Sequence, residues 1–381
     1  MNLILSPKLF AIDTSILGKV AKDYYSQDQS KIKKALKFMS TITEKGLIPL
    51  FCMHHFQEIL QHDNDYIVSN RLSLIKKFTQ VAWIKPSDPQ GLIGSIIDIQ
   101  GTEISVLLDN PGIVSTELIS KVRKKLIAYS SGNTFIDNIQ KKLLKLRELN
   151  LFGTQKSKAV SSLSHVTDPK IENIKLSTLH HSVLKKPLEI EQSIKLLRET
   201  LNQELANRGD KKLVKHDEVI AEFIQLIVRD GLKMYESNSD LLFNKFVESL
   251  GIDPTEINED LTISELGQYA TFKKKIQIIA RSYNFDIEKA LKIPPETIPS
   301  WFIWTEIDNK TREEKFASGS NIIDKYLAAL AFYSDFLIVD KRIKEYFRQI
   351  TQKNAIYSFI NSHVVKLSSY DMLEKQFNTI S

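Results

Sequence analysis

The sequence predicts an α/β protein, a parallel sheet flanked by helices that is interrupted by a mostly α-helical insertion. Three observations predict it. Residues 1–110 alternate short apolar runs with helical periodicity, the pattern of strands and helices in a parallel sheet. Residues 111–300 lose the strand pattern and become a series of amphipathic helices. Residues 301–381 return to the α/β pattern. We therefore expect one α/β domain whose two halves, 1–110 and 301–381, enclose the insertion.

The first half contains two short apolar strands and three helical segments. The predicted strands are Leu9–Ile12 and Leu47–Phe51, and the predicted helices are Lys31–Lys45, Phe56–Gln61 and Arg71–Thr79, the last leading into Val81–Ile84. The second half repeats the pattern with a helix at Ser320–Tyr333, a strand at Phe336–Val339 and a helix at Lys341–Gln349. Together these segments make a doubly wound sheet.

The insertion has helical periodicity in four stretches, separated by one segment of different composition. The predicted helices are 136–149, 193–205, 219–234 and 264–283. Residues 151–187 are rich in Ser, Lys and Thr with weak periodicity, which predicts a long, partly disordered basic loop. Pro294, Pro295 and Pro299 end the helical region, since consecutive prolines cannot continue a helix.

Composition excludes several classes of protein. The 381 residues include a single cysteine, so neither an intramolecular disulfide nor a cysteine-based zinc site can form. No run approaches the roughly 18 apolar residues of a membrane span. We therefore expect a cytoplasmic protein without a membrane partner.

The net charge of +6 is unevenly distributed. Residues 111–187 hold 14 lysines and arginines against 5 aspartates and glutamates, a local charge of +9. Such asymmetry indicates a polyanionic partner such as nucleic acid, and Lys121, Arg123, Lys124 and Lys125 are candidate phosphate contacts. A lysine-rich, solvated helix face is the alternative interpretation.

Four acids occupy positions that an α/β sheet gathers at one edge. Asp13 follows the first strand, Glu58 lies in the helix after the second, Asp324 lies in the first turn of a late helix, and Asp340 follows the last strand. The carboxyl ends of parallel strands share one edge, where ligands usually bind. Each acid also has an ordinary alternative: Asp13 as a helix cap, Glu58 as a solvated helix residue, and Asp324 as a favourable charge in a first helical turn.

Convergence of these carboxylates predicts a metal site. Two carboxylates about 5 Å apart repel by roughly 3 kcal/mol at an effective dielectric near 20, so several together require protons or cations. Oxygen ligands favour hard divalent cations, here Mg²⁺ or Mn²⁺. Because such ions activate water for attack on phosphorus, a phosphodiester is the expected substrate.

Three stretches resemble the PIN-domain nucleases, a family that includes relatives of the flap endonucleases and toxins of toxin–antitoxin pairs. They are the segments from Phe10 to Ser15, from Ile48 to Leu60 and from Asn321 to Arg342. The resemblance implies that Asp13, Glu58, Asp324 and Asp340 are the catalytic, metal-binding acids and that Ser15 is a supporting hydroxyl. The chain has Val339 where the family usually has Thr or Ser near the fourth acid.

Other residues near these acids are given supporting or binding roles. Asp335 is interpreted as a supporting residue at a turn rather than as a fifth ligand, and Lys341 and Arg342 are placed to hold the scissile strand. His54 and His55 precede Glu58, but without an HExxH spacing or a second cysteine they do not predict zinc. One of them could contact a substrate phosphate, or both could serve in packing.

The sequence thus predicts a metal-dependent endoribonuclease, acting as a toxin or an antiviral defence effector. The preference for RNA over DNA comes from the family resemblance alone. Expected partners are nucleic acid and, for regulation, a second protein or another copy of the chain. The alternatives are a non-catalytic nucleic-acid-binding or scaffold protein on a degenerate PIN fold, a DNA nuclease, and a phosphatase.

Overall fold

The computed structural model has a six-stranded sheet with helices on both faces. It describes residues 7–163, 173–180, 247–312, 321–354, 357–367 and 369–373, with a few single residues between 195 and 244. The strands are β1 (Lys8–Ile12), β2 (Leu47–Phe51), β3 (Val81–Ile84), β4 (Ile127–Ser130), β5 (Phe336–Val339) and β6 (Val364–Lys366).

The strand order is β4-β3-β2-β1-β5-β6, and every pair is parallel except β3 with β4. The expectation of a purely parallel sheet was therefore wrong, because the sheet is mixed. The cause is local: Ile127 pairs with Ile84 at the end of β3, and the Lys85 amide donates to the Leu126 carbonyl at 2.8 Å. The helix before β4 thus ends beside the end of β3, so β4 must run back along β3 in the opposite direction.

The described ranges also contain fourteen α-helices. They are α1 (Thr14–Tyr24), α2 (Gln29–Glu44), α3 (Met53–Leu60), α4 (Asp65–Lys76), α5 (Ile96–Asp109), α6 (Ser115–Leu126), α7 (Gly132–Leu163), α8 (Leu176–His180), α9 (Ile263–Tyr283), α10 (Ile287–Leu291), α11 (Pro299–Arg312), α12 (Asn321–Ala328), α13 (Lys341–Lys353) and α14 (Ile360–His363). No helix in the described ranges is both long and apolar enough to cross a membrane.

The chain forms two compact units. The first comprises residues 1–152, 279–310 and 322–381, and the second comprises 153–278 and 311–321. The first unit contains the whole sheet, including β4, which lies in a region where the sequence predicted helices only. The run Ile127–Ser130 is four residues long, too short to show the alternation by which a strand is recognised.

The basic loop was predicted in part wrongly. The α7 helix continues to Leu163, so residues 154–163 are helical, as are residues 176–180. After Gly153 this stretch contains helix-forming Gln, Lys and Ala and no glycine or proline before 163, which allows the helix to continue. The rest of the loop, and most of the helices expected at 193–205 and 219–234, lie outside the described residues.

Most of the remaining predicted elements that lie in the described residues match the structure. Strand β5 has the predicted bounds, and α9 agrees with the expected helix to within one residue. The late helix predicted to reach Tyr333 ends at Ala328 instead and tightens into a 3₁₀ turn over Ala329–Phe332. Such turns are common at helix ends because they satisfy the last carbonyls with shorter-range hydrogen bonds.

The strands of the sheet bury side chains on both faces. Leu9 and Ala11 of β1 belong to one apolar cluster, while Phe10 and Ile12, which alternate with them, belong to the other. A central strand of this kind must be apolar throughout, which is why β1 was recognisable as a continuous run.

A buried carboxyl, Glu103 of α5, links three elements under one face of the sheet. It accepts hydrogen bonds from the Ser300 amide at 3.1 Å, from the Ser300 hydroxyl at 2.5 Å and from the Tyr333 hydroxyl. Burial raises the pKa of Glu103 to about 7, against the opposing effect of these three donors. The side chain therefore binds a proton more tightly in the folded chain than in the unfolded chain.

We predict that Glu103 makes the protein less stable as pH rises. Its carboxyl ionises near pH 4.5 in the unfolded chain and near pH 7 in the folded chain. The free energy of unfolding should therefore fall by about 3 kcal/mol as the pH rises from 4.5 through 7. In urea denaturation at pH 4.5 and pH 8, Glu103→Gln should remove this part of the pH dependence. Glu117→Gln on the surface of α6 is the control. Equal pH dependence in Glu103→Gln and the wild type would contradict the prediction.

Candidate functional site

Three of the four predicted acids come together at the carboxyl edge of the sheet. Asp13 directly follows β1 and Asp340 directly follows β5, and these two strands are neighbours, with Ile12 opposite Ile338. Glu58 lies in α3, which follows β2, and Asp324 lies in the first turn of α12. Asp13, Glu58 and Asp324 interact electrostatically, as their effect on one pKa shows.

Glu58 is the centre of this group. Burial, followed by the negative charges of Asp324 and Asp13, raises the pKa of its carboxyl to about 8, while the positive charge of Arg71 acts in the opposite direction. These acids come from segments that are far apart in sequence. The solvated-surface interpretation of Glu58 does not describe a side chain in this environment.

Asp13 is the N-cap residue of α1, and from this position it also faces the site. Its Oδ1 accepts a hydrogen bond from the Ser15 amide at 2.6 Å, and its own amide donates to the Ile338 carbonyl at 3.1 Å. The contact of Ser15 is thus a backbone one, and Ser15 itself is exposed. Because both the side chain and the backbone amide of Asp13 are hydrogen-bonded, its carboxylate is fixed relative to β5.

Asp324 contacts a residue that the sequence assigned to nucleic-acid binding. The Arg342 Nη2 atom donates to Asp324 Oδ2 at 3.0 Å, and the Asp324 side chain is only 18% exposed. Arg342 lies in the first turn of α13, two residues after Asp340. The ion pair therefore joins the two late segments of the predicted site.

Asp340 lies at the same edge but outside the group around Glu58. It is exposed, and its Oδ1 accepts a hydrogen bond from the Ile343 amide at 2.8 Å as the N-cap of α13. Lys341 beside it is also exposed. These two residues stand where a polymer could approach the carboxylates from solvent.

The acids do not have ligand spacing as they stand. Among the described residues, no three side chains of the Asp, Glu, His and Cys types lie close enough together to hold a metal ion. The donor set is nevertheless made of carboxylate oxygens, the chemistry that suits a hard divalent cation.

The two histidines before Glu58 are neutral and fully engaged. The Ile96 amide donates to His54 Nε2 at 3.1 Å, so Nδ1 carries the proton and donates to Gln57 Oε1 at 2.7 Å. The Cys52 amide donates to His55 Nδ1 at 3.1 Å, so Nε2 donates to the Ile12 carbonyl at 3.1 Å. Burial lowers the pKa of His55 to about 4. Both residues serve packing rather than phosphate binding.

The hydrogen bond from His55 to Ile12 also positions the site. It ties the first turn of α3, the helix that carries Glu58, to the last residue of β1, the strand that Asp13 follows. The ring is buried and packs edge-on against Phe51 at a centroid distance of 5.6 Å. This contact therefore fixes the distance between the segments that supply two of the three acids.

Asp335 and Arg123 lie at the opposite edge of the sheet. Asp335 precedes β5, whereas Asp340 follows it, and its Oδ2 accepts from the Leu9 amide at 2.6 Å. Arg123 donates to both carboxylate oxygens of Asp335, at 3.2 and 2.7 Å. This bidentate pair fastens α6 to β1 and β5, and it does not bring either residue to the acids.

The neighbours of Arg123 in α6 are also mostly paired. Lys121 contacts Glu117 at 2.9 Å and Asn110 at 2.7 Å, and Lys125 contacts Asp109 at 3.4 Å. Lys124 is exposed. Arg123 therefore does not bring the predicted basic cluster to the carboxyl edge of the sheet. Two lysines of the cluster pair with residues of α5 and α6 instead.

Arg71 is a site residue that the sequence analysis missed. It lies in α4, and its guanidinium packs against Gly18 of α1, where an added Cβ would stand 2.9 Å from Nη2. A glycine inside a helix costs about 1 kcal/mol relative to alanine. That unfavourable glycine, one turn after Asp13, was the signal that could have pointed to a close approach.

Comparisons of the chain with protein-family models, with curated proteins and with solved structures found no match. The function must therefore be argued from the geometry of the site.

We predict that the pKa of Glu58 falls when either neighbouring charge is removed. Asp324→Asn and Asp13→Asn should each lower it from about 8, because each removes a negative charge that disfavours ionisation. Carbon-13 NMR of glutamate carboxyls in EDTA-treated protein, with Glu58→Gln for assignment, measures this pKa. Asp109→Asn, at the exposed end of α5, is the matched control. An unchanged pKa in both site variants would mean that the acids do not converge.

Proposed function

We propose that this protein is a PIN-like, metal-dependent nuclease that hydrolyses phosphodiester bonds. The observation that carries the proposal is the convergence of Asp13 and Asp324 on the half-buried Glu58. Carboxylates do not gather in a partly buried place without a compensating charge, because their mutual repulsion is unfavourable. A cation that binds there is the simplest source of that charge.

Glu58, Asp13 and Asp324 would hold the ion, with Asp340 available at the same edge. Mg²⁺ or Mn²⁺, when bound, supplies an activated water and stabilises charge on the phosphoryl oxygens. The carboxylates set the position of the site, and the burial of Glu58 restricts bulk water there. Arg342 holds Asp324 in the metal-free chain and becomes available to a substrate phosphate if Asp324 turns toward Glu58.

RNA is the polymer that we propose first, on the family resemblance. The exposed Lys341 stands beside Asp340, where a phosphate backbone could approach. The PIN-like assignment of the fold, the toxin or defence role and a regulatory protein partner rest on the same resemblance and are proposals in the same sense. The mixed α/β sheet with helices on both faces is compatible with all of them.

One pair of observations favours a non-catalytic alternative. The described residues contain no three-ligand group, and Asp324 is engaged by Arg342. A nucleic-acid-binding or scaffold protein on a degenerate PIN fold would retain such an ion pair permanently. Measurements of cleavage and of metal binding distinguish the nuclease from the non-catalytic alternative.

We predict metal-dependent cleavage that depends on the acids. Purified full-length protein incubated with total RNA, and separately with single- and double-stranded DNA, should cut one of these polymers with Mn²⁺ or Mg²⁺ and none with EDTA. Asp324→Asn and Asp13→Asn should reduce cutting by at least about 100-fold, since even outer-shell changes at metal sites reach that size. Circular dichroism should show both variants folded.

Asp109→Asn is the matched control, since it removes an exposed carboxylate far from the site, and it should cut as the wild type does. If the wild type cuts none of the three polymers, or if the folded Asp324→Asn variant cuts as well as the wild type, the nuclease proposal fails. The scaffold alternative would then be preferred.

A further inference from the structure

The guanidinium of Arg71 is held in an unusual environment beside the carboxylates. It reaches from α4 to the surface of α1, where Gly18 leaves the space that it occupies: a side chain there would meet Nη2 at 2.9 Å, Nε at 3.1 Å and Cζ at 3.2 Å. Its charge acts on Glu58 of α3. Three helices of the first unit thus meet at this one cation.

Arg71 differs from other arginines of the described residues in how its charge is compensated. Each of the following pairs with a carboxylate: Arg123 with Asp335, Arg147 with Asp65, Arg342 with Asp324 and Arg348 with Glu345. The Nε atom of Arg71 is buried and has no hydrogen-bond partner in the described part of the chain. Nor does a described carboxylate stand within ion-pair distance of Arg71.

A half-buried cation without a bonded partner is costly, because its lost hydration is not replaced by hydrogen bonds. Burial accordingly lowers the pKa of Arg71, against the opposing charge of Glu58. An anion arriving from outside would bring acceptor oxygens to the Nη atoms, which are not among the buried, unpaired atoms as Nε is. Guanidinium groups bind phosphate with two parallel N–H donors, a geometry that lysine cannot reproduce.

We propose that Arg71 binds a phosphate group of the substrate beside the Glu58 carboxylate, with Gly18 as the surface against which its guanidinium is held. This inference rests on the proposed nuclease function. Its physical role follows from charge: a polyanion approaching three carboxylates is repelled, and a fixed cation next to them offsets that repulsion where the phosphate must lie. Arg71 is then a substrate-binding residue and Gly18 a positioning residue.

The test measures binding rather than cleavage. Full-length protein in EDTA is titrated into a fluorescein-labelled single-stranded RNA oligonucleotide, and in parallel into the same DNA sequence, with anisotropy read at several salt concentrations. Arg71→Met should weaken binding about tenfold and lower the salt slope by about 0.7, the value for one lost phosphate contact on a single strand. Arg71→Lys should recover the slope but only part of the affinity.

Gly18→Ala keeps the arginine and moves its guanidinium, so it should weaken binding in the same direction as Arg71→Met. Arg348→Met on the exposed face of α13 is the matched control and should leave the affinity and the salt slope unchanged. Urea denaturation of each variant identifies any that fail to fold. Arg71→Lys and Gly18→Ala then remain informative if Arg71→Met does not fold.

The proposal would be overturned if the folded Arg71 and Gly18 variants kept the affinity and the salt slope of the wild type. It would also be overturned if the wild type bound neither oligonucleotide. The nuclease proposal is judged separately by metal-dependent cleavage. Arg71-dependent binding without any cleavage would support the phosphate site and reject the nuclease, whereas acid-dependent cleavage with Arg71-independent binding would do the reverse.

Discussion

Repulsion around the half-buried Glu58 carboxylate is the constraint on which the candidate site depends. Asp13 and Asp324 add negative charge to a position where hydration is already reduced, and their effect on Glu58 is unfavourable until a proton or cation compensates it. The chain supplies two partial compensations: Arg342 pairs with Asp324, and the charge of Arg71 acts on Glu58. Near neutral pH a proton on Glu58 compensates the repulsion in the metal-free chain, and a divalent cation would take the place of that proton.

The scaffold around the acids explains how they are held against that repulsion. Strand β1 is buried on both faces, so Asp13 is fixed by the strand that precedes it and by its cap on α1. His55 ties α3 to the end of β1, which fixes the helix of Glu58. At the far edge, the Arg123–Asp335 pair fastens α6 to the strands. The Arg123–Asp335 pair and the candidate chemistry therefore occupy opposite edges of one sheet.

Much of this arrangement could be predicted because it follows from local pattern. Strand β5 is a run of four apolar residues, and the rule that parallel strands end at one edge is enough to bring Asp13 and Asp324 toward Glu58. The pairing of Arg123 with Asp335 could not be predicted, since the residues lie 212 positions apart and neither has a distinctive neighbourhood. Arg71 was missed because its position depends on the space that Gly18 leaves in a different helix.

The central claim is that these carboxylates form one cation site, and direct measurement of Mn²⁺ binding tests it independently of any substrate. Metal-free full-length protein is titrated with Mn²⁺ while free Mn²⁺ is followed by electron paramagnetic resonance. We predict that the wild type and Asp109→Asn bind the ion alike and that folded Glu58→Gln and Asp324→Asn variants bind it at least about tenfold more weakly. Equal Mn²⁺ affinity in all four proteins, or no binding by the wild type, would contradict this prediction.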